Sequence, residues 1–131
     1  MKKIITSGRR KQSIARAVLS EGKGQIRVNS INLKIYSPEL SRLKIMEPLM
    51  LAGDAAGKVN IDITVKGGGF ITQADAARLA VARALVAYNS KLREVFLNYD
   101  RHLLVADIRV REAGKPNHHG QARASTQTSY R

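Results

Sequence analysis

The sequence has 131 residues, which suits one compact domain with extensions and is too short for two domains with separate cores. Its 23 Lys and Arg residues against 10 Asp and Glu residues give a net charge of +13, which favours a polyanionic partner such as nucleic acid. There is no cysteine for disulfides or thiolate metal ligands, and no apolar run approaches the roughly 20 residues that span a bilayer, so we expect a cytoplasmic protein with no membrane partner.

The N-terminal segment carries only positive charge. Six cations precede the first acidic residue, Glu21: Lys2, Lys3, Arg9, Arg10, Lys11 and Arg16. Residues 6–11 are polar where a secretory signal would be apolar, so we expect no cleavage and no export. Residues 8–11 suit phosphate contacts, because guanidinium groups and a closely approaching backbone can grip oxygens together. A solvated charge cluster is the alternative interpretation.

Three segments have the pattern of β-strands. Residues 14–19 and 25–29 flank a glycine-containing turn at residues 21–24, which predicts that the two strands pair as a hairpin. The clearest alternation runs over residues 58–66, where every second residue is Val or Ile and the residues between them are polar. This pattern predicts a strand with one face in the core and one face in water.

Two short helices are predicted between the second and third of these strands. Ser37 followed by Pro38 is typical of a helix start, since serine caps helices and proline fits the first turn. Pro48 starts a second helical pattern. Residues 49–52 are predicted to form another short helix, which ends at Gly53.

A longer helix is predicted over residues 73–88. Thr72 and Asp75 have the spacing of a capping box at its start. Seven alanines lie between positions 74 and 87. They favour the helix and give it a smooth surface, so we expect it to pack on the buried face of the 58–66 strand. A further helix, with Ser90 as its cap, is predicted to run through residue 97.

Gly67, Gly68 and Gly69 lie between the third strand and the long helix, where free backbone amides favour a phosphate. The run lacks the Lys-Ser or Lys-Thr ending of a P-loop, and it does not match the spaced glycines of a dinucleotide fold. We therefore expect a tight turn that lets the backbone approach the sheet or an RNA strand, with no bound nucleoside triphosphate. A phosphate-handling enzyme remains the alternative.

Other candidates for catalysis or metal binding are weaker. His118 and His119 are adjacent in a polar stretch, without residues that would orient them on a metal ion. Asp100 and Asp107 stand near arginines, which favours ion pairs over a catalytic pair. Because no nucleophile, base and oxyanion donor come together, we expect no catalytic residue, no metal and no cofactor.

The composition changes at residue 113. From there Gly, Pro, Asn, His, Gln, Ser and Thr dominate, no acid occurs, and the charged residues are Lys115, Arg123 and Arg131. Such a segment buries too little apolar area to offset the entropy of ordering it, so we expect it to be disordered in the free protein. The chain is therefore predicted to consist of a globular domain over residues 1–112 and an extended basic tail over residues 113–131.

Several motifs resemble those of one family, the ninth protein of the small ribosomal subunit. Residues 7–16, Ser-Gly-Arg-Arg-Lys-Gln-Ser-Ile-Ala-Arg, resemble its N-terminal motif, and residues 65–69, Val-Lys-Gly-Gly-Gly, followed by Arg78, resemble its central signature. Residues 99–107 and 129–131 are similar to archaeal and eukaryotic members rather than bacterial ones, and we expect the archaeal type.

The resemblance implies a fold, a function and partners. The fold is α+β, a mixed sheet of about four strands with helices packed on it, similar to the second domain of ribosomal protein S5. The function is that of a structural, non-enzymatic constituent of the small ribosomal subunit in translation. The implied partners are small-subunit ribosomal RNA, peptidyl-site transfer RNA and neighbouring small-subunit proteins. A nucleic-acid-binding module outside the ribosome is the further alternative.

The motifs and the resemblance also indicate which residues bind RNA. Ribosomal RNA contacts are expected from Arg9, Arg10, Lys11, Arg16, Lys66, Gly67, Gly68, Gly69, Arg78 and Arg123. The resemblance implies that the tail reaches transfer RNA through Ser129, Tyr130 and Arg131. The tail carries fewer cations than is usual in the family, which implies weaker attraction to phosphates there.

Overall fold

A computed structural model describes residues 3–124, which form an α+β fold with one mixed sheet and three α-helices. The strands are β1 (Ile4–Arg10), β2 (Ser13–Glu21), β3 (Ile26–Val28), β4 (Ile31–Asn32) and β5 (Val59–Lys66). The helices are α1 (Glu39–Ala52), α2 (Phe70–Tyr88) and α3 (Leu92–Tyr99). The predicted fold class is confirmed, with five strands where about four were expected.

The sheet has the strand order β1-β2-β5-β3-β4, with β3 parallel to β5 and the other neighbours antiparallel. The predicted hairpin between residues 14–19 and 25–29 is therefore wrong, because β5 lies between β2 and β3. The turn after β2 bonds to the start of β5 instead: Gly22 N–H donates to the Lys58 carbonyl and Gly24 N–H to the Val59 carbonyl, both at 3.0 Å. Long pairing between β2 and β5 satisfies more backbone groups than the three-residue β3 can offer.

The N-terminal cationic segment forms β1, a strand that the sequence pattern did not predict. It pairs with β2 along its whole length, from Ile4 opposite Leu19 to Arg10 opposite Ser13. Lys11 and Gln12 connect the two strands, and Lys11 has a positive φ of 53°. The sequence Ile-Ile-Thr-Ser-Gly-Arg-Arg shows little hydrophobic alternation, because its helix-facing side has small or polar residues.

Helix α1 is continuous, so the prediction of two short helices separated at Pro48 is wrong. Pro48 is buried on the same face as Ser41, Ile45 and Ala52, which packs against α2. Burial of the proline ring helps to offset the backbone hydrogen bond that proline cannot donate. The helix ends at Gly53, as predicted, where φ is 60°.

Helix α2 begins at Phe70, three residues before its predicted start. Its N-cap is Gly69, whose N–H donates to Thr72 Oγ1 at 3.0 Å, so Thr72 lies inside the first turn rather than before it. The alanine-rich surface packs mainly over β1 and β2, and to a lesser extent over β5. The predicted contact with the 58–66 strand is present, but the contact with β1 is more extensive.

Helix α3 has Lys91 at its N-cap in place of the predicted Ser90, and it ends two residues beyond the predicted Leu97. Beyond α3, regular structure ends with a 3-10 turn at Arg101–Leu103. Residues 106–115 form neither helix nor strand. Residues 116–120 are turns, and the Lys115 N–H donates to the Gln121 carbonyl at 3.1 Å. The division at residue 112 and the disorder of the tail stay predictions. In residues 3–124 no helix is long and apolar enough to cross a membrane.

Candidate nucleic-acid interface

The helices cover one face of the sheet and leave the other face to solvent. We call this second side the open face. It is formed by alternate residues of β1, β2, β3 and β5, all of them exposed: Ile5, Ser7, Arg9, Ile14, Arg16, Arg27, Asp62, Thr64 and Lys66. Side chains in the intervening register positions point to the helices and form the core. The open face is therefore a surface set by strand alternation.

Three of the predicted RNA-binding cations are neighbours on this face. Arg9 lies opposite Ile14 in the β1–β2 pairing, and Ile14 lies opposite Lys66 in the β2–β5 pairing. Arg16 is two residues along β2 from Ile14, on the same face. With neighbouring strands about 4.8 Å apart, Arg9 and Lys66 are separated by about 10 Å at their backbones. The sheet therefore places Lys66 of β5 beside two cations of the consecutive strands β1 and β2, which are remote from it in the sequence.

These cations have no acidic partner within residues 3–124: Arg9, Lys11, Arg16 and Lys66 form no ion pair there. The acid on the open face is Asp62, which lies directly beside Arg27 in the β3–β5 pairing. A shallow groove of about 430 Å³ runs past Arg16, Lys66 and Gly67. Its unneutralised charge is available to phosphate groups.

Arg10 is placed differently, on the helix side of β1. Its Nη1 lies 3.0 Å from Asp107 Oδ2 and its Nε lies 3.9 Å from Asp75 Oδ2. The side chain is only 18% exposed. These ion pairs give Arg10 a role in holding the fold together, and the RNA contact predicted for it stays a prediction.

Arg78 also has its charge matched inside the protein. From α2 its Nη2 reaches Glu47 of α1 at 2.6 Å and Asp100 at 3.3 Å. The His102 N–H, which donates to Asp100 at 2.9 Å, and then Arg78 itself hold the pKa of the Asp100 carboxyl below its usual range. Arg78 thus links α1, α2 and the turn after α3. RNA contact by this residue stays a prediction, and its two ion pairs argue against it.

The glycine run forms the expected tight turn. Gly67 and Gly68 have φ values of 80° and 64°, which side-chain-bearing residues rarely adopt. A Cβ on Gly67 would lie 2.5 Å from the Gln12 carbonyl oxygen, and one on Gly68 would collide with the Ser13 hydroxyl. The buried Ser13 Oγ donates to the Gly67 carbonyl at 2.8 Å. The turn therefore binds the end of β5 to the β1–β2 hairpin, while its approach to RNA stays a prediction.

The histidines and aspartates were the weaker candidates for metal binding or catalysis. No group of three or more His, Cys, Asp or Glu residues within residues 3–124 has the arrangement to hold a metal ion. Asp107 lies in ion pairs, as predicted, with Arg109 and with Arg10. Hydrogen bonds from the Arg109 side chain and N–H, together with Arg10, hold the pKa of the Asp107 carboxyl far below its usual range.

The tail residues are only partly described. Arg123 is 84% exposed at its side chain, and its Nε lies 3.1 Å from Glu112 Oε2. Such an exposed pair is weak and leaves the guanidinium accessible to a phosphate. Ser129, Tyr130 and Arg131 lie outside the described residues.

Sequence reasoning missed three further cations. Arg27 belongs to the open face, and Arg109 and Arg111 lie near Lys11 along a groove of about 490 Å³. A signal was present for Arg27, because it stands between the apolar residues Ile26 and Val28 and so belongs to the polar side of its strand. For Arg109 and Arg111 the sequence did not indicate what they face.

Comparison with known proteins agrees with the motif resemblance. The profile of a family described as Ribosomal protein S9/S16 matches residues 8–131. A small ribosomal subunit protein uS9 from Methanococcus vannielii is 45% identical over 134 aligned positions, covering 100% of both chains. Proteins of the same name from two strains of Methanococcus maripaludis are 46% identical with the same coverage. The resemblance is confirmed, and the chain belongs to the ribosomal protein S9/S16 family, in its archaeal type.

Proposed function

We propose that the chain is a structural constituent of the small ribosomal subunit, that it binds ribosomal RNA through the open face, and that it acts in translation in the cytoplasm. The observation that carries the RNA contact is the cluster of Arg9, Arg16 and Lys66, three cations without an acidic partner in residues 3–124. Membership of a family of ribosomal proteins supports a structural role rather than an enzymatic one.

The open face suits the RNA backbone better than base edges. Its cations stand on paired strands whose backbone is already ordered. Binding of phosphates therefore costs little backbone entropy. Guanidinium groups grip phosphate oxygens with two hydrogen bonds, and the ammonium of Lys66 contributes a point charge. Contacts of this kind recognise the shape of a folded RNA rather than a base sequence. Lys11 and the Gly67–Gly69 turn extend the same surface beyond the ends of β1 and β5.

Neighbouring small-subunit proteins are the second class of proposed partner. The outer side of α1 exposes large apolar side chains, with Leu40 53%, Leu43 49% and Met50 73% exposed. The cations of the open face lie on the opposite layer of the fold. This separation supports RNA contact on one side and protein contact on the other, because buried protein interfaces are depleted in charge.

Co-sedimentation tests the proposed assembly. An affinity-tagged copy expressed in Methanococcus maripaludis is expected to migrate with small subunits in a sucrose gradient and to stay with them after a wash in about 0.5 M salt, because many phosphate contacts and protein contacts act together. Dissociated RNA and free protein, run on parallel gradients, show where a chain bound to RNA outside the subunit and an unbound chain would migrate. A tagged chain that remains with the free proteins at the top would contradict the proposed function.

We further propose that the tail contacts transfer RNA in the peptidyl site through Ser129, Tyr130 and Arg131. The family resemblance of these residues supports the proposal. The guanidinium of Arg131 would bind anticodon-stem phosphates, the ring of Tyr130 would stack, and the hydroxyl of Ser129 would donate a hydrogen bond. Contacts to the backbone suit a site that accepts every elongator transfer RNA. Arg123 would hold ribosomal RNA along the path of the tail.

Deletion of residues 129–131 separates this role from assembly. Incorporation into small subunits is expected to stay near the wild-type level, because the core described within residues 3–124 is kept. Retention of transfer RNA in the peptidyl site is expected to fall roughly threefold to tenfold through the loss of one charged and one stacking contact. Filter binding to purified subunits measures the retention. Lost incorporation together with unchanged transfer RNA affinity would show that the tail is an assembly anchor instead.

A further inference from the structure

After α3 the chain returns toward the β1 edge of the sheet. Arg83 of α2 ties it there, since its Nε donates to the Leu104 carbonyl at 3.2 Å while its Nη1 donates to the Ser7 carbonyl of β1 at 3.0 Å. Residues 106–115 that follow are neither helix nor strand. Their position therefore depends on side-chain contacts rather than on backbone pairing.

Asp107 supplies those contacts. Its Oδ2 accepts hydrogen bonds from Arg109 Nε at 2.9 Å and Nη2 at 2.7 Å, and lies 3.0 Å from Arg10 Nη1 on β1. Its Oδ1 accepts the Arg109 N–H at 2.9 Å. The Asp107 side chain is only 14% exposed, so its pairing with Arg10 is less screened than an ordinary surface ion pair. One carboxylate thus contacts β1 through Arg10 and also contacts Arg109 in residues 106–115, the segment that forms the base of the C-terminal extension.

The held segment forms one wall of the groove of about 490 Å³. Arg109 and Arg111 line this wall, while Lys11, Gln12, Gly68 and Gly69 line the other. None of the lining residues is acidic, and within residues 3–124 neither Lys11 nor Arg111 has an acidic partner. Cations from two remote parts of the sequence therefore converge only while the segment stays in place.

We propose that Asp107 is a positioning residue that clamps the base of the C-terminal extension to β1 and so completes a groove for an RNA phosphodiester between Lys11, Arg109 and Arg111. This groove adjoins the open face and adds a second row of phosphate contacts. The proposal rests on the proposed function, namely that the chain binds RNA.

Asp107→Asn tests the clamp, because the added positive charge and the loss of the clamp change the affinity for RNA in opposite directions. The variant raises the net charge from +13 to +14, and charge alone would tighten RNA binding. Loss of the clamp instead weakens binding, by roughly fivefold to tenfold, as the contacts of Arg109 and Arg111 are no longer held together. The matched control is Asp54→Asn, which makes the same charge change before the start of β5, whereas the groove lies beyond its end.

Two measurements on the full chain give the result. Affinity is measured by fluorescence anisotropy with transcribed small-subunit ribosomal RNA at several salt concentrations. Amide hydrogen exchange reports whether residues 105–112 are released while α2 stays protected. Weaker binding of Asp107→Asn together with faster exchange over residues 105–112 supports the proposal. Binding as tight as that of Asp54→Asn, or tighter, overturns it whatever the exchange shows.

Arg111→Ala keeps the proposal testable if Asp107→Asn fails to fold. Arg111 is exposed and makes no ion pair in the described residues, so its loss leaves the fold intact. The salt dependence of RNA binding should fall by about one counterion unit compared with Lys34→Ala, on the distant edge of the sheet. An unchanged slope overturns the groove. A wild-type chain that binds no RNA would overturn the proposed function and the groove together, whereas normal wild-type binding with unaffected variants overturns only the groove.

Discussion

Replacing Gly8 by alanine is expected to destabilise the protein by roughly 2–3 kcal/mol, near the upper end for an overpacked core. Gly8 is buried where β1 crosses α2. A Cβ at this position would lie 2.8 Å from the Ala80 nitrogen and still closer to the Ala76 carbonyl oxygen. Both are helix backbone atoms that cannot rotate away, so β1 would have to move from α2. That movement also weakens the hydrogen bond of 2.7 Å from Thr6 Oγ1 to the Ala80 carbonyl.

Urea denaturation followed by circular dichroism measures the loss, provided that the slope of unfolding free energy against urea is unchanged. Gly57→Ala is the matched control, because nothing lies within 4 Å of a Cβ at that position. The control is expected to stay within about 0.5 kcal/mol of the wild type. A Gly8→Ala variant as stable as the control would show that the glycine does not set the distance between β1 and α2.

Periodicity predicted the elements whose two sides differ strongly in polarity. In β5 every second residue is a buried Val or Ile, so one face of the strand was readable without any knowledge of its neighbours. The alanine-rich α2 was predicted for a similar reason, since its composition favours a helix in any context. Only its start was misplaced, because the N-cap is Gly69 and not Thr72. Thr72 lies in the first turn of the helix, where its Oγ1 accepts a hydrogen bond from the Gly69 N–H.

The errors arose where tertiary contacts outweigh local pattern. Pro48 looked like a boundary between two helices, but its ring is buried and the helix continues through it. The turn after β2 looked like a hairpin turn, yet β2 pairs with β1 on one side and on the other with β5, about 40 residues further on, and not with β3. Strand β1 was missed because its helix-facing side has Thr6 and Gly8 in place of large apolar residues. Small residues permit close packing on α2 and leave no hydrophobic signal.

The site was predictable as a set of cations but not as a geometry. Arg9 and Arg10 are adjacent in the sequence and were expected to act alike. As neighbours on a strand they point to opposite faces, so Arg9 belongs to the open face while Arg10 lies beside Asp107. Because β1 was not predicted as a strand, this difference could not be anticipated. The acidic partners of Arg78 are likewise remote in sequence and become neighbours only through the fold.

Removing together the three clustered cations of the open face, Arg9, Arg16 and Lys66, is expected to have the largest effect on RNA binding. The variant Arg9→Ala, Arg16→Ala, Lys66→Ala loses contacts that act on one RNA surface. Each phosphate contact contributes about 0.7–0.9 to the slope of log K against log salt, so the slope should fall by roughly 2–3 units. At about 1 kcal/mol for each charge-assisted contact, affinity near 0.1 M salt should fall on the order of 100-fold. Fluorescence anisotropy with transcribed small-subunit ribosomal RNA measures both quantities.

A control of equal charge decides whether the position of the cations matters. Lys58→Ala, Lys91→Ala, Arg93→Ala also lowers the net charge from +13 to +10, but it removes exposed cations at the start of β5 and around the start of α3. If RNA lies on the open face, the control loses only long-range attraction, which salt screens beyond about 10 Å. Its slope should therefore change by less than about one unit. Equal losses in the two variants would mean that RNA responds to the total charge of the protein, and the open face would then not be the binding surface.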